Sequence, residues 1–308
     1  MTADVLALRA LGLGDVLTAV PALRGARRAW PGARLHLAAP AALGTWLADL
    51  GVVDAALPTQ ALGPLAWRGT GHVALNLHGR GPRSHTALAG TRPARLVAYR
   101  SNGWLGPSWR DDEHEVRRWC RLVASAGGDC GPEDLRLPVV GRPRPEEVLL
   151  HPGAAAPARR WPPQRWAALA AALRRAGRRV SLTGSVSERA LCARVAEEAH
   201  ALGGEPEDLS GALDVAGLAT RVAGARLLVS GDTGVAHVAT AVGTPSVLLF
   251  GPTPPALWGP LIDVDRHVVL WHGAGAARGD PHGTGVDPAL ARIGVDEVLD
   301  AALVTLSG

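Results

Sequence analysis

Along most of this chain, apolar runs of four to seven residues alternate with segments in which apolar residues recur every three to four positions. A short run that is apolar throughout suits a strand buried on both faces, and the helical-period segments suit the crossover helices that a parallel sheet requires. Strands are expected near residues 4–9, 34–38, 72–77 and 95–99, and again near 147–151, 179–183, 226–230 and 246–250. Helices are expected near 15–29, 40–49, 84–90 and 113–126 in the first half, and near 163–176, 187–200, 214–223, 233–242 and 295–306 in the second. The fold class is therefore α/β with parallel sheets.

At 308 residues and 47% hydrophobic content the chain can bury two cores. The stretch LPVVGRPRPEE, 137–147, is proline-rich and lies between two complete α/β patterns, which makes it the expected linker. The domains are accordingly 1–142 and 143–308, with the last helix free to pack back on the first. Residues 271–288, WHGAGAARGDPHGTGVDP, have no period and are expected to form a mobile surface loop. No apolar run approaches the roughly 18 residues of a membrane span, and the opening MTADVLALRA lacks a basic leader, so a cytoplasmic protein is expected.

Cys120, Cys130 and Cys192 have no C-x-x-C spacing and are expected to be reduced. Every basic residue is arginine, which excludes chemistry based on a Schiff-base or P-loop lysine. The planar guanidinium suits phosphate, so an anionic small ligand, or an acidic membrane surface met peripherally, fits the net charge of +4. Nucleic acid is not an expected partner, because one Tyr and one Phe leave no aromatic-basic module.

In open parallel sheets, ligands bind beyond the carboxyl ends of the strands, and the unusual residues collect there. LRALGLGDVL, 8–17, opens like a dinucleotide fingerprint, but Leu17 replaces the third glycine and Asp15 stands where the helix begins. A carboxylate occupies the place a phosphate would take; as a plain structural residue Asp15 would be an N-cap. HPGAAAPARRWPPQRW, from 151, places Arg159 and Arg160 beside a helix start, either as anion ligands or as solvated arginines. In SGDTGVAH, Gly231 and Gly234 bracket Asp232 and Thr233 at a strand-to-helix turn, so the N–H groups of Thr233 and Gly234 can face an anion. His237, one turn on, reads first as a core or capping histidine and second as a substrate contact. TGSVSER starts at Thr183 and holds Glu188, which either complements the helix dipole or accepts from a ribose diol. Asp263-Val264-Asp265 reads as a turn, and no metal ligand set is expected.

Together, RALGLGDVLTAVPAL, HPGAAAPARRWPPQRW, TGSVSER and SGDTGVAHVATAVGTPSVLLFGPT resemble glycosyltransferase family 9, the ADP-heptose:lipopolysaccharide heptosyltransferase family, over roughly residues 3–260. The resemblance implies a GT-B fold, two Rossmann-like domains facing across a cleft, the first holding an acceptor and the second a nucleotide sugar. It implies inverting, metal-independent transfer of a heptose or related sugar from an ADP-sugar to a hydroxyl-bearing glycan, glycolipid or small molecule, without a cofactor. Asp15 would be the general base. Arg159, standing where the family usually has lysine, would bind the diphosphate together with Arg160, Thr233 and Gly234. Thr183, Glu188, Asp232 and His237 would complete the donor site. On the acceptor side the expected contacts are Gly14 and, from NLHGRGPRSH, His78, Arg80 and Arg83. Lipopolysaccharide itself is not assumed as the acceptor. Two other functions fit the same plan, a sugar-nucleotide 2-epimerase and a non-catalytic nucleotide-sugar-binding protein.

Overall fold

The computed structural model describes residues 4–274 and 278–307. Two compact units divide at Leu137–Pro138, where the proline-rich stretch begins. In chain order the first unit contains β1 (Val5–Leu8), α1 (Leu13–Thr18), α2 (Val20–Ala29), β2 (Leu35–Ala39), α3 (Ala41–Asp49) and β3 (Ala55–Pro58). It continues with β4 (Val73–Asn76), α4 (Arg83–Ala89), β5 (Arg95–Val97) and α5 (Glu115–Ala124). Its sheet runs β3-β2-β1-β4-β5, all parallel, with Val5 opposite Leu35 on one side and Val73 on the other. All four residues of β1 are buried, as expected for a central strand covered on both faces. The single helix expected over 15–29 is two helices meeting at Ala19. Pro21 lacks an N–H and fits the first turn of a new helix better than the interior of an old one.

The second unit contains β6 (Arg144–His151), α6 (Pro163–Arg175), β7 (Arg179–Leu182), α7 (Arg189–Ala201), β8 (Glu207–Asp208), α8 (Val215–Gly224) and β9 (Ala225–Gly231). It continues with α9 (Gly234–Val242), β10 (Ser246–Phe250), α10 (Pro255–Trp258), β11 (His267–Trp271), α11 (Pro288–Arg292) and α12 (Val295–Ser307). The strand order is β11-β10-β9-β6-β7-β8, again parallel throughout. Val148 and Leu150 of β6, Leu227 and Val229 of β9, and Trp166, Leu169 and Leu173 of α6 share one core. Each such side chain contributes roughly 1.5–3 kcal/mol when fully buried.

The strands β3, β8 and β11 were not expected. β3 and β8 are edge strands: β3 is the short, half-exposed Ala-Ala-Leu-Pro and β8 the exposed pair Glu207–Asp208, so pairing with the neighbouring strand is what defines them. Val298, Ala302 and Leu306 of the last helix, α12, lie in the second unit's core, because its apolar stripe meets α6, β9 and β10. In the glycine-rich stretch 271–288, residues 275–277 lie outside the described residues. Much of the remainder is tied down, with Gly279 N–H donating to Pro252 O (2.8 Å) and Ala158 N–H to Gly283 O (3.1 Å). Asp263, at φ 48°, turns into a single 3-10 turn, Val264–Arg266. The three cysteines are free thiols. Among the described residues no helix is long and apolar enough to cross a membrane.

Candidate functional site

In the first sheet the strand order reverses between β1 and β4, so the loops leaving these two strands open at the switch point where parallel sheets take ligands. After β1 the chain enters α1 through Gly12, the N-cap, at φ −67° and ψ 173°. Neither Gly12 nor Gly14 has positive φ: Gly12 is ordinary extended backbone and Gly14 lies within α1, so the stretch makes no glycine-dependent turn of the dinucleotide kind. Nor is Asp15 the cap. It is the third residue of α1, with about a third of its side chain accessible, and its Oδ1 accepts from Arg9 Nη2 at 3.2 Å.

Arg9, 1% exposed, follows β1 directly. Its Nε donates to the Asp15 carbonyl (2.8 Å), its Nη1 to the Leu77 carbonyl (2.5 Å), and its Nη2 also to Glu115 Oε1 (2.9 Å) and Thr18 Oγ1 (3.3 Å). Glu115 is buried at the start of α5, where it also accepts from Arg118 and from Trp119 Nε1. Burial opposes its ionisation, but the guanidinium charges of Arg9 and Arg118 outweigh that and hold it below the usual carboxylate range. Past β4, His78 keeps a buried Nδ1 with no partner; burial, then the charge of Arg9, pushes its pKa down to about 4. Gly14 is half-buried nearby in sequence to Asp15, and Arg80 and Arg83 are exposed on the loop and first helical residue that follow β4.

In the second sheet the switch point lies between β6 and β9. The loops after β6, β7 and β9 converge there. Thr233 is the N-cap of α9, in extended backbone, yet its hydroxyl bonds Ser230 Oγ (2.9 Å) and makes no cap bond to the helix. A helix N-terminus carries partial positive charge and attracts anions. Arg159 Nη1 reaches the Asp232 carbonyl at 3.4 Å, the outer limit of a hydrogen bond, and its buried Nε has no partner. Arg160 Nε donates to Ala154 O (2.9 Å). Asp232 is 7% exposed. His237 lies edge-on to Trp258, with ring centroids 5.8 Å apart.

On the other side of β6, Thr183 Oγ1 bonds Nδ1 of the buried His151 (3.0 Å). Glu188 Oε2 accepts from the backbone N–H and the hydroxyl of Ser185 (2.7 and 2.8 Å), which closes the 3-10 turn Val186–Glu188 that leads into α7. Its carboxylate lies over Gly153, where a Cβ would come within 2.0 Å of Oε1. Burial raises the pKa of Glu188, but the Ser185 bonds and the fields of His151 and Arg160 bring it below the usual carboxylate value. Among the described residues no three His, Cys, Asp or Glu side chains gather in a way that could hold a metal ion.

Arg159 and Asp232 thus meet at the second switch point, Thr183 and Glu188 flank His151 and Gly153 beside it, and Gly14, Asp15 and His78 lie at the first. His237 stands against Trp258, and Arg80 and Arg83 stay on the exposed segment after β4. Three partners were not anticipated. Arg9 carried a signal, a lone cation at the end of an apolar run; Glu115 carried none, because it reaches Arg9 across 106 residues of chain. His151 was visible only as the end of a strand.

The model of glycosyltransferase family 9 (heptosyltransferase) matches residues 110–281, more than half of the chain. Lipopolysaccharide heptosyltransferase 1 of Pseudomonas aeruginosa is 35% identical over 156 residues, 48% of this chain and 42% of that protein. The chain thus spans less than half the length of the curated relatives it matches. Among solved structures, a family 9 glycosyl transferase from Veillonella parvula superposes with a TM-score of 0.82 at 18% identity, covering 99% of this chain and 98% of the other. E. coli ADP-heptose lps heptosyltransferase II gives 0.76 at 21% identity, covering 99% and 98%. The fold is therefore GT-B, and with a family model spanning most of the second unit and part of the first, the chain belongs to glycosyltransferase family 9.

Proposed function

We propose that this chain is an inverting glycosyltransferase that moves a heptose or related sugar from an ADP-sugar to a hydroxyl group of a glycan, glycolipid or small molecule. The second unit holds the donor and the first the acceptor. What carries the donor half is Arg159: its guanidinium reaches the Asp232 carbonyl in the turn that leads into α9, which sets a fixed positive charge beside a helix N-terminus, the pairing that suits a diphosphate. A diphosphate placed there takes hydrogen bonds from Arg159 and from the amides of Thr233 and Gly234. Glu188 and Thr183 face the ribose, while Asp232 and His237 face the sugar. The ADP-heptose named for the E. coli neighbour is the natural first probe.

In the reaction the acceptor oxygen bonds to the anomeric carbon as the bond from that carbon to the diphosphate oxygen breaks. The acceptor proton passes to Asp15 and ADP leaves with the bonding electrons. A positioned base contributes about 10² to 10⁴ in rate. The negative charge on the departing diphosphate is met by Arg159 and the α9 dipole, fixed before the reaction begins, so a metal is not needed for that task. His78, Arg80, Arg83 and Gly14 contact the acceptor, and the exposed arginines also favour an acidic membrane face in the cytoplasm. Calorimetry with ADP, followed by ADP release from ADP-heptose with and without acceptor and with EDTA, tests the scheme. Donor binding without acceptor-dependent release would leave a binding protein, and activity abolished by EDTA would remove metal independence.

A further inference from the structure

We infer that Arg9 is the positioning residue of the Asp15 carboxylate, and that Glu115 is the buried counter-ion that keeps Arg9 in place. This rests on the reading of Asp15 as the base. A guanidinium that is 1% exposed must satisfy its donors inside the protein or lose far more than it gains. Here Nε and Nη2 grip Asp15 twice, at its backbone carbonyl and at Oδ1, and Nη1 fixes the end of β4 through Leu77. The ring of Trp119 lies 4.8 Å beneath the guanidinium carbon and closes the remaining face.

The charge balance explains why two carboxylates can share this cation. Glu115 has a second cation of its own, Arg118, whose other nitrogen donates to the carbonyls of Arg110 and Glu113. Arg9 is therefore not neutralised by Glu115 alone, and its remaining charge falls on Asp15, the more exposed of the two acids. The charged and titratable groups around the guanidinium are Asp15 on α1, Glu115 and Arg118 on α5, and His78 after β4, whose neutral ring adds no competing charge. An N-terminal turn that needed only a dipole partner would not require a buried arginine spanning β1, β4, α1 and α5.

The test is a carbon-13 NMR pH titration of the Asp15 carboxyl, assigned by its absence in Asp15→Asn, in the full chain without ligand. In Arg9→Met, which packs on Trp119, and in Arg9→Gln as a second neutral variant, the midpoint rises by about one pH unit. In Arg9→Lys, which keeps the charge, most of that rise is prevented. A midpoint unchanged in whichever neutral variant folds, or raised equally in Arg9→Lys, overturns the inference. ADP release from ADP-heptose separates the two claims: full turnover by Asp15→Asn removes the base and leaves the titration result standing. Turnover lost in Asp15→Asn but kept in Arg9→Gln removes the positioning role alone.

Discussion

Arg159→Ala separates a side chain kept for a ligand from one kept for the fold. In the folded chain Arg159 makes one hydrogen bond at the 3.4 Å limit and buries one donor without a partner, so its removal changes stability by no more than about 0.5 kcal/mol. Against ADP the same side chain offers charge-assisted bonds of about 1.5–3 kcal/mol each, and two at the lower end give about 3 kcal/mol, roughly a hundredfold in Kd. Arg165 is the internal control. Its Nη1 donates to the carbonyls of Ala291 and Ile293 at 2.6 and 2.7 Å, tying α6 to the segment that precedes α12. Arg165→Ala loses about 3 kcal/mol of stability by the same figures and, in a unit of this size, roughly 6–12 °C in Tm. Calorimetry with ADP and thermal melts of the unliganded protein read both effects. If Arg159→Ala binds ADP within roughly threefold of the parent, or melts as early as Arg165→Ala, then Arg159 is a structural residue and the donor assignment fails.

Asp15→Asn lowers turnover by about 10² to 10⁴ while leaving the affinity for ADP as it was; steady-state ADP release and calorimetry check this, and unimpaired turnover refutes it. Gly153→Ala drives its methyl group against Glu188 Oε1, so the carboxylate swings off Ser185 and ADP affinity falls with little change in Tm; equal affinity would show that Glu188 does not meet the nucleotide. Stability declines as the pH falls from about 6.5 towards 4, because burial holds His78 and His267 at pKa values of about 4, well below the unfolded value near 6.5. Between those limits the unfolded chain binds more protons than the folded one, and His36, His72, His85 and His151 act in the same direction. Thermal melts down that range check it, with His267→Asn flattening the slope; a Tm that does not move with pH contradicts it.

The central strands of the two parallel sheets were legible in short apolar runs such as Val5–Leu8 and Ser246–Phe250, because a strand buried on both faces needs no contribution from distant residues to be recognised. The donor motifs were legible for a related reason: Asp232, Thr233 and Gly234 sit in one strand-to-helix turn, so sequence neighbours are also spatial neighbours. β11 was legible in principle, since Val268-Val269-Leu270-Trp271 is an apolar run of good β-formers, but it stands against a glycine-rich stretch that masks its end. β3 and β8 were not legible, because four residues of low β-propensity that end in proline, and an exposed Glu-Asp pair, become edge strands only through the partner they pair with.

Asp15 shows where sequence stops. Its place at the start of α1 was readable, and the capping role that local propensity suggested was wrong, because the group that fixes its carboxylate is an arginine held by Glu115 on α5. Composition and periodicity determine the buried central strands, the amphipathic helices and the loops that lie at those strands' ends. Only the folded chain decides how a buried charge is shared, since electrostatic partners are chosen by distance in space, and the low dielectric that makes the choice binding exists only once the core has closed.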